Sequence, residues 1–576
     1  MPELKSLLKK WKRRKAPGPD GLSMDLIREL DDDNLQNVLG FLNQWWSDEF
    51  VPDDMLEARV VLLFKNKGSA ANLDNYRPIS LLNSFYKLIA GVLKDRIAKQ
   101  IDHLLQPTQF GFRARRSTSQ ALKIVRQMVH QGASTRNYKQ GSPLYLLFLD
   151  WEKAFDRVTH EALFSALERM QLPDKIVNVV KALYRNPTFQ VGMDNYESKW
   201  HRQDAGIRQG CPLSPYLFLI VMHVLFQDIY SKHGTSLSKG RPPGVTFDAV
   251  LFADDTMCVS SDKAQITRML HAIEKESARF GLNLNKTKCE LMVIGQPSRI
   301  KYRDGTHVPS AETVKYLGCS LDSKNDVGKE ISARIRNCYQ TMQRLDAFWL
   351  HSDCSISQKI QVFNAVCRSK LLYGLETTQL TPGQTQRLDG FQLKGLRKIL
   401  GISTTFGQMA QGQDRTNTNE YIYSQAQNAF NSQRPHRALE RFSATYEKLK
   451  LDLLCRLISA PATDPVASCT FDPHTLQPWD YGPKRVGRPR KAGEWYEHTA
   501  DTLWRTLVVP PRPWLEDTTL DLTLTSHRLL LRVTAWQRMK KLHPSFYRER
   551  FPPPPAPPAG THGVGLRFGD RWIYAG

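Results

Sequence analysis

The sequence has little cysteine, and its cysteines form no pattern. Its 576 residues include nine cysteines, an odd number, and no two of them have the CxxC spacing of many metal and redox motifs. Cys455, Cys469 and His474 suggest a zinc knuckle by their proximity in sequence, but their spacing matches no standard zinc pattern. Scattered thiols argue against a disulfide framework and predict a reducing, intracellular location, in the nucleus and cytoplasm.

Long hydrophobic runs are also missing. The longest apolar stretch, Leu217 to Phe226, is interrupted by His223 and is too short to cross a bilayer. Seven Lys or Arg residues lie between Lys5 and Lys15, but no apolar segment follows them as it would in a signal peptide. The sequence therefore predicts no membrane span and no secretory leader.

Acidic residues are too few to balance the basic ones. The chain has 80 Lys and Arg against 57 Asp and Glu, a formal net charge of +23. Such an excess favours a polyanionic partner, because cations that neutralise phosphates release bound counterions. The alternative is charge that serves only solubility.

The first 321 residues mix helical and strand patterns. Apolar residues within Tyr86–Leu105 recur at helical spacing, and Ser214-Pro215 opens a helix that is apolar on every face. Glu57–Phe64 and Cys289–Ile294 have the composition of strands. Interleaved helices and hairpins predict an α+β fold, not a doubly wound parallel sheet.

The composition changes along the chain divide it into five parts. We expect a basic N-terminal segment at 1–47, a mixed core at 48–321 and a helical unit at 322–402. Residues 403–433 are rich in Gln, Asn, Thr and Ser, which predicts a polar linker. Residues 434–576 are predicted to form a helical, basic and partly disordered C-terminal region.

Three carboxylates occur where apolar runs end. Asp150 follows the run Leu144–Leu149, and Asp254 and Asp255 follow the run Ala249–Ala253. Carboxylates at the end of a buried strand and at the tip of a hairpin can hold two divalent cations, which at roughly 3.5–4 Å apart promote in-line phosphoryl transfer. Alone, the adjacent pair is weak evidence, because two acids at a hairpin tip are usually a solvated turn.

Seven motifs occur in one order along the chain. They are Ala16–Gly21, Asn75–Leu82, Gln109–Arg113, Asp150–Asp156, Gly206–Pro215, Phe252–Asp255 and Tyr316–Gly318. This order resembles that of the reverse transcriptases of non-LTR (LINE-type) retrotransposons and, more distantly, of group II introns. The resemblance covers about residues 10–402, roughly two thirds of the chain.

The resemblance implies a right-hand polymerase, with fingers and palm at 48–321 and a thumb at 322–402. It implies an RNA-directed DNA polymerase that uses an RNA template, a DNA primer or target, and dNTPs. Asp150, Asp254 and Asp255 would coordinate two Mg²⁺ ions, or Mn²⁺ in their place.

Phe155 matches the family's steric gate, a ring that clashes with a 2′-hydroxyl and so selects deoxynucleotides. Its alternative role is that of a core aromatic. RNA-dependent RNA polymerases usually end the metal-binding hairpin in Gly-Asp-Asp, whereas this chain has Phe252-Ala253 before Asp254. Both features favour the synthesis of DNA.

Further catalytic and nucleotide-binding residues are implied by the same resemblance. Gln209 and Gly210 match the pair beside the incoming nucleotide and the templating base. Arg77 matches the residue that grips the triphosphate, with help from Lys65 or Lys67. Lys286 matches a lysine that protonates pyrophosphate, although a solvated lysine explains that position equally well.

Basic residues in two segments are predicted to bind nucleic acid. Arg113, Arg115 and Arg116 lie in a fingers loop, where the family more often has Pro-Gly at the positions of Ala114 and Arg115. The C-terminal cluster consists of Lys484, Arg485, Arg488, Arg490 and Lys491. Its Gly-Arg-Pro core resembles part of an AT-hook, and the alternatives are a nuclear-import signal or nonspecific phosphate contacts.

Proteins of this family usually carry an endonuclease as well. Here Met1 lies close to the first motif, and no credible zinc knuckle or nuclease core follows the last one. We therefore expect an isolated polymerase, truncated or domesticated, that depends on a separate endonuclease or an existing nick. A group II intron-type reverse transcriptase/maturase and a noncatalytic RNA-binding remnant are the alternatives.

Overall fold

A computed structural model gives the fold of most of the chain. The structure describes residues 1–66, 68–134, 143–193, 196–237, 244–410, 416–431, 438–476, 479, 494–507, 531–532, 534–535, 538–539, 565–568 and 571–574. Among the helices of this described part, none is long and apolar enough to pass through a membrane.

Helices and strands alternate irregularly up to residue 322. The helices are α1 Pro2–Lys10, α2 Met24–Arg28, α3 Asp32–Asp48, α4 Ser84–Ile101, α5 Thr118–Ser134, α6 Ala154–Arg157, α7 His160–Arg169, α8 Asp174–Leu183, α9 Ser214–Leu237 and α10 Lys263–Ser277. The strands are β1 Glu57–Phe64, β2 Tyr76–Leu82, β3 Leu144–Leu149, β4 Thr188–Met193, β5 Tyr196–Glu197, β6 His201–Arg202, β7 Ala249–Phe252, β8 Asp255–Ser260, β9 Glu290–Ile294, β10 Thr313–Tyr316 and β11 Cys319–Asp322. This mixture confirms the predicted α+β class.

The first sheet is mixed and corresponds to the predicted fingers. Strand β1 pairs antiparallel with β2 and parallel with β4, while β5 and β6 both pair antiparallel with β4. Helices α1 to α4 share one apolar core with it, and Leu4, Leu7 and Leu8 of α1 are buried there.

The second sheet, the predicted palm, is antiparallel in the order β7-β8-β3-β9. Alternate residues of β3 belong to different cores. Leu147 and Leu149 pack in the core that includes α4 and α7 to α10, whereas Leu146 and Phe148 pack in the core that includes α5. Because both faces of the sheet are covered, β3 is apolar throughout instead of alternating with polar residues.

A helical unit follows the palm, as predicted for the thumb. Its helices are α11 Val327–Arg344, α12 Asp346–His351, α13 Ile356–Phe363, a π-helical turn at Asn364–Arg368, α14 Ser369–Leu372, α15 Pro382–Leu400, α16 Thr405–Ala410 and α17 Asn419–Asn431. The prediction of a linker at 403–433 is wrong for the described residues. Ile422, Ala426 and Phe430 of α17 are buried in the thumb core, and this apolar stripe at helical spacing outweighs the polar composition.

The C-terminal region packs on the palm. It contains α18 Phe442–Ser459, α19 Pro465–Thr470 and α20 Glu494–Leu507, followed by the hairpin strands β12 Gly565–Phe568 and β13 Arg571–Tyr574. Leu454, Val466 and Trp495 share the core that covers α5 and the second face of the palm sheet. These described helices therefore share a core with the palm sheet, whereas the sequence predicts an appended nucleic-acid-binding region.

Candidate active site

Asp150 and Asp255 lie at the same level on neighbouring strands of the palm sheet. Strand β3 pairs antiparallel with β8, and Leu149 is opposite Thr256. The next pair in this register is Asp150 and Asp255. The buried strand thus brings one predicted acid directly beside another.

Asp254 lies in the turn between β7 and β8. Phe252 pairs with Asp255, so the turn consists of Ala253 and Asp254. Ala253 has a φ of 57°, and a positive φ at the first turn position suits the twist of a two-residue hairpin. All three predicted acids therefore collect at one end of the palm sheet.

Each of the three carboxyl groups has a raised pKa. Partial burial raises the pKa of Asp150, and the positive charge of Lys288 acts against this increase. Partial burial also raises the pKa of Asp254, with a contribution from the charge of Asp150. Partial burial and repulsion from Asp254 and Asp150 raise the pKa of Asp255 to about 6. A bound cation would relieve this repulsion.

The donor chemistry of these side chains fits a divalent cation. Mg²⁺ prefers oxygen ligands, and protein sites commonly supply one or two carboxylates alongside substrate phosphates. Asp150, Asp254 and Asp255 provide such carboxylates within electrostatic reach of one another. Within the described residues, no group of three or more His, Cys, Asp or Glu side chains is arranged to hold a metal ion by itself.

Phe155 lies on α6, immediately after the Asp150 strand. Its half-buried ring stacks on Phe218 of α9, with ring centroids 4.4 Å apart and an interplanar angle of 18°. Its other neighbour is Phe112, whose ring is edge-on at 6.4 Å. One face of Phe155 thus packs on the core, which fixes the orientation of a ring that remains partly exposed.

Gln209 and Gly210 pack against strand β2. The carbonyl of Gln209 accepts a hydrogen bond of 2.6 Å from the Ser80 amide, and its side-chain Nε2 donates to Asp156 Oδ1 at 3.0 Å. Gly210 has a φ of 126°, and a Cβ there would overlap the Ser80 carbonyl oxygen. The glycine is therefore required by the protein backbone, whether or not a ligand also approaches it.

Arg77 and Lys65 lie on the fingers. Arg77 is an exposed residue of β2. The Lys65 amine donates to the Asp74 carbonyl at 2.8 Å. Lys153 forms an ion pair of 3.2 Å with Asp74. The sequence did not indicate Lys153 as a residue of this region. Lys67 lies outside the described residues.

Comparison with known families identifies the domain. Residues 64–321 match the family described as reverse transcriptase (RNA-dependent DNA polymerase). Asp150, Asp254 and Asp255 all lie inside this match. These residues of the chain therefore match a reverse transcriptase domain.

The curated relatives of this reverse transcriptase domain come from mobile elements. The chain is 26% identical over 416 residues to the RNA-directed DNA polymerase from mobile element jockey of Drosophila melanogaster, covering 69% of this chain and 43% of that protein. It is 26% identical over 337 residues to the Pol polyprotein of the retrotransposable element R2 of Nasonia vitripennis, covering 56% and 31%. The predicted resemblance to non-LTR retrotransposon enzymes is confirmed, and the chain spans less than half the length of these relatives.

A solved structure of apo telomerase from Candida tropicalis is also similar to this chain. The alignment covers 53% of this chain and 65% of the telomerase chain, with 11% identity and a TM-score of 0.34. The low score supports no detailed comparison of shape.

Lys286 forms ion pairs with acidic side chains other than Asp150, Asp254 and Asp255. Its amine pairs with Asp304 at 2.6 Å and with Glu274 at 3.4 Å, and the hydrogen bond to Asp304 is the main reason that its pKa is raised. Lys288 is closer to one of the three site acids, with Nζ 3.9 Å from Asp150 Oδ1. The structure pairs Lys286 with Asp304 and Glu274 instead, and its role in protonating pyrophosphate stays a prediction.

Two of the three arginines in the fingers loop make internal contacts. The Arg113 guanidinium is 6% exposed and pairs with Asp102, and Arg116 pairs with Asp464 of the C-terminal region at 2.8 Å. The prediction that Arg113 binds nucleic acid is wrong for this buried conformation. Arg115 is exposed and has a φ of 61°, the conformation that favours glycine and that explains why related loops have glycine there.

The C-terminal basic cluster lies outside the described residues. This applies to Lys484, Arg485, Arg488, Arg490 and Lys491. Their role in binding nucleic acid stays a prediction.

The hairpin β10–β11, which contains the motif Tyr316–Gly318, packs on the same sheet as the acids. The buried Tyr316 ring packs on Phe148 of β3 with centroids 5.4 Å apart. Burial raises the Tyr316 pKa, and the charge of Asp255 contributes to the increase. The turn at Leu317 and Gly318, both with positive φ, is thereby attached to the same end of the palm sheet.

Proposed function

We propose that the chain is a retrotransposon-derived RNA-directed DNA polymerase that extends a primer 3′-hydroxyl on an RNA template with dNTPs. The observation that supports it most is the strand register that sets Asp150 beside Asp255, with Asp254 in the adjacent turn. Two divalent cations held there, Mg²⁺ or Mn²⁺, would lower the pKa of the primer hydroxyl and neutralise the leaving pyrophosphate.

The chain's own residues would position the nucleotide. The Phe155 ring, held by its stacking on Phe218, would lie beneath the sugar and exclude a 2′-hydroxyl. The Gln209 backbone is held by Ser80, so a templating base and an incoming nucleotide would meet a preformed surface. Arg77 and Lys65 on the fingers would meet the triphosphate.

The proposed partners are an RNA template and a DNA primer or target, with target cleavage supplied by a separate endonuclease or an existing nick. The matches to jockey and R2 polymerases favour this reading over a maturase or a noncatalytic remnant. All nine cysteines are free thiols, which fits the nucleus and cytoplasm as the proposed location. Imaging of the tagged chain in cells would test the location, and exclusive retention in the secretory pathway would contradict it.

Primer extension on a defined RNA template tests the activity. We expect the full chain to extend a DNA primer with dNTPs and Mg²⁺, and we expect Asp150→Asn and Asp254→Asn to abolish extension. A matched control is Asp262→Asn. Asp262 caps α10, its carboxylate accepts from the Ala264 amide at 2.7 Å, and an asparagine oxygen can replace it.

The comparison of the two site variants with Asp262→Asn decides whether the acids are needed for extension. Extension by the wild type and by Asp262→Asn, but not by the two site variants, supports the proposal. Equal extension by Asp254→Asn and wild type would refute the role of the hairpin. Absence of extension by a folded wild-type chain, across RNA and DNA templates and both metals, would refute the polymerase activity.

A further inference from the structure

Gln109 forms an isolated parallel bridge with Leu251 along the free edge of β7. The Leu251 amide donates to the Thr108 carbonyl at 2.9 Å, and the Phe110 amide donates to the Leu251 carbonyl at 2.8 Å. The segment 108–111 therefore runs parallel to β7 with Gln109 opposite Leu251. It ends beside the turn that carries Asp254.

The Gln109 side chain holds that turn by its backbone. Its Oε1 accepts hydrogen bonds from the Ala253 amide at 3.0 Å and from the Gly111 amide at 2.9 Å, and its Nε2 donates weakly to the Ala253 carbonyl at 3.4 Å. Gln109 is 3% exposed. A Cβ at Gly111 would overlap the Ala253 nitrogen, so the contact is close enough to require glycine.

These bonds support a strained conformation. Ala253 has a φ of 57°, a backbone conformation that is unfavourable for a residue with a Cβ. Both the N–H and the C=O of Ala253 are bonded to one amide side chain, so the peptide that leads into Asp254 has little rotational freedom.

Arg113 anchors the segment from the other side. Its guanidinium donates to the carbonyls of Gln106 at 2.9 Å and Gln109 at 3.3 Å and pairs with Asp102. Asp102 also accepts a hydrogen bond of 3.0 Å from Tyr216 on α9. The contacts thus run from α9 through Arg113 to Gln109 and the turn.

We propose that Gln109 is a positioning residue, which fixes the Ala253–Asp254 peptide and so the direction of the Asp254 carboxylate toward a divalent cation. The inference rests on the proposed function, because it assumes that Asp254 binds the metal. Gln109 itself touches neither substrate nor metal.

Three variants of the full chain separate positioning from stability. Gln109→Leu removes both the acceptor and the donor, and Gln109→Glu keeps an acceptor but turns a carboxylate oxygen toward the Ala253 carbonyl. The matched control is Gln392→Leu. Gln392 is also buried, donates to the Glu440 carbonyl at 3.0 Å and accepts from the Phe442 amide at 2.9 Å, but it lies in the thumb.

The first measurement is Mn²⁺ binding without nucleotide, followed by electron paramagnetic resonance. Loss of a residue that orients a metal ligand typically weakens metal affinity by about 10–100-fold, and we expect Gln109→Leu to do so. Gln109→Glu should weaken it by a smaller factor, and it carries the test if the leucine variant does not fold. Gln392→Leu should bind Mn²⁺ like the wild type even where its thermal midpoint is lower.

The second measurement is single-turnover primer extension as a function of Mg²⁺. We expect Gln109→Leu to lower the rate by about 10–100-fold and to require more Mg²⁺, with the affinity for primer–template unchanged. If both Gln109 variants bind Mn²⁺ and depend on Mg²⁺ as the wild type does, the positioning role of Gln109 is overturned, while the proposed polymerase function is not affected. A wild-type chain that neither binds Mn²⁺ nor extends a primer would refute the proposed function, and the positioning role with it.

Discussion

Asp150 and Asp255 lie opposite each other one residue beyond the last paired residues of β3 and β8. Burial is the main reason that the pKa of Asp255 is raised to about 6, and repulsion from Asp254 and Asp150 adds to the increase. The arrangement that suits two cations therefore costs the metal-free protein some stability, because it holds negative charges close to one another.

Removing one of these charges is expected to stabilise the metal-free protein. In EDTA at pH 7, Asp255→Asn should raise the free energy of unfolding by up to about 1 kcal/mol, a small gain because solvent screens the partly exposed pair. Mg²⁺ should raise the thermal midpoint of the wild type more than that of the variant. Differential scanning calorimetry measures both, and a variant less stable than the wild type in EDTA would contradict the repulsion.

Lys288 is expected to matter more to the reaction than Lys286. Its amine is 3.9 Å from Asp150, whereas Lys286 is held by Asp304 and Glu274. A lysine that acts as a general acid contributes at least about 100-fold, so Lys288→Met should lower the single-turnover rate by about 100-fold or more, and Lys286→Met by less. If the two substitutions lower the rate equally, the distance of the lysine amine from Asp150 does not determine which lysine acts in the reaction.

The placement of the acids could be predicted because it depends on local pattern. Residue periodicity indicates an apolar run that ends in Asp150 and a hairpin whose turn contains Asp254, whereas the role of these acids as metal ligands depended on the seven ordered motifs and the family that they resemble. The antiparallel register that joins the run and the hairpin follows once the two strands are neighbours in the sheet. The fold class depended on the same periodicity and was also predicted.

The partners of charged side chains could not be predicted in this way. Lys286 pairs with Asp304, and Arg113 with Asp102, and no periodic pattern indicates which carboxylate a flexible cation will meet. Similarly, an amphipathic helix such as α17 or α20 shows that one face is buried but does not show against which element. The packing of the C-terminal helices on the palm was missed for this reason.

The stacked pair of Phe155 and Phe218 predicts a graded loss of sugar selection. Phe155→Val should increase ribonucleotide incorporation relative to deoxynucleotides, because the ring that would clash with the 2′-hydroxyl is gone. Phe218→Leu should have a smaller effect of the same sign, since it frees the ring without removing it. Single-nucleotide extension with matched dNTP and rNTP measures both, and unchanged discrimination in Phe155→Val would refute the gate.

Lys123 predicts a pH dependence of stability that is unrelated to catalysis. This fully buried amine hydrogen-bonds Gln127 at 3.0 Å and lies 3.6 Å from the ring centroid of Trp495. Its charged neighbours are Lys450 and Arg126. Burial is the main cause that lowers its pKa to about 7, and these two positive charges add to the decrease.

Because the folded-state pKa is lowered, the unfolded chain binds one more proton between pH 7 and about pH 10.4. The free energy of unfolding therefore rises with pH across that window. Below pH 7 the buried, charged Lys123 lowers the free energy of unfolding by its full amount. Lys123→Met should be more stable than the wild type by on the order of 5 kcal/mol at pH 6, and the difference should vanish near pH 10.5. Urea denaturation across this range measures it, and a constant difference would refute the lowered pKa.

The ion pair between Arg116 and Asp464 predicts that the C-terminal helices unfold together with the palm. Its side chains are 19% and 8% exposed, and Asp464 also caps α19 by accepting from the Val466 amide at 3.0 Å. Asp464→Asn keeps an oxygen for the cap while it removes the charge, so a double-mutant cycle with Arg116→Met isolates the pair. We expect a coupling energy of about 1–2 kcal/mol in urea denaturation and a shared transition for both regions. No coupling, with separate transitions for the palm and the C-terminal helices, would instead indicate an independent C-terminal module.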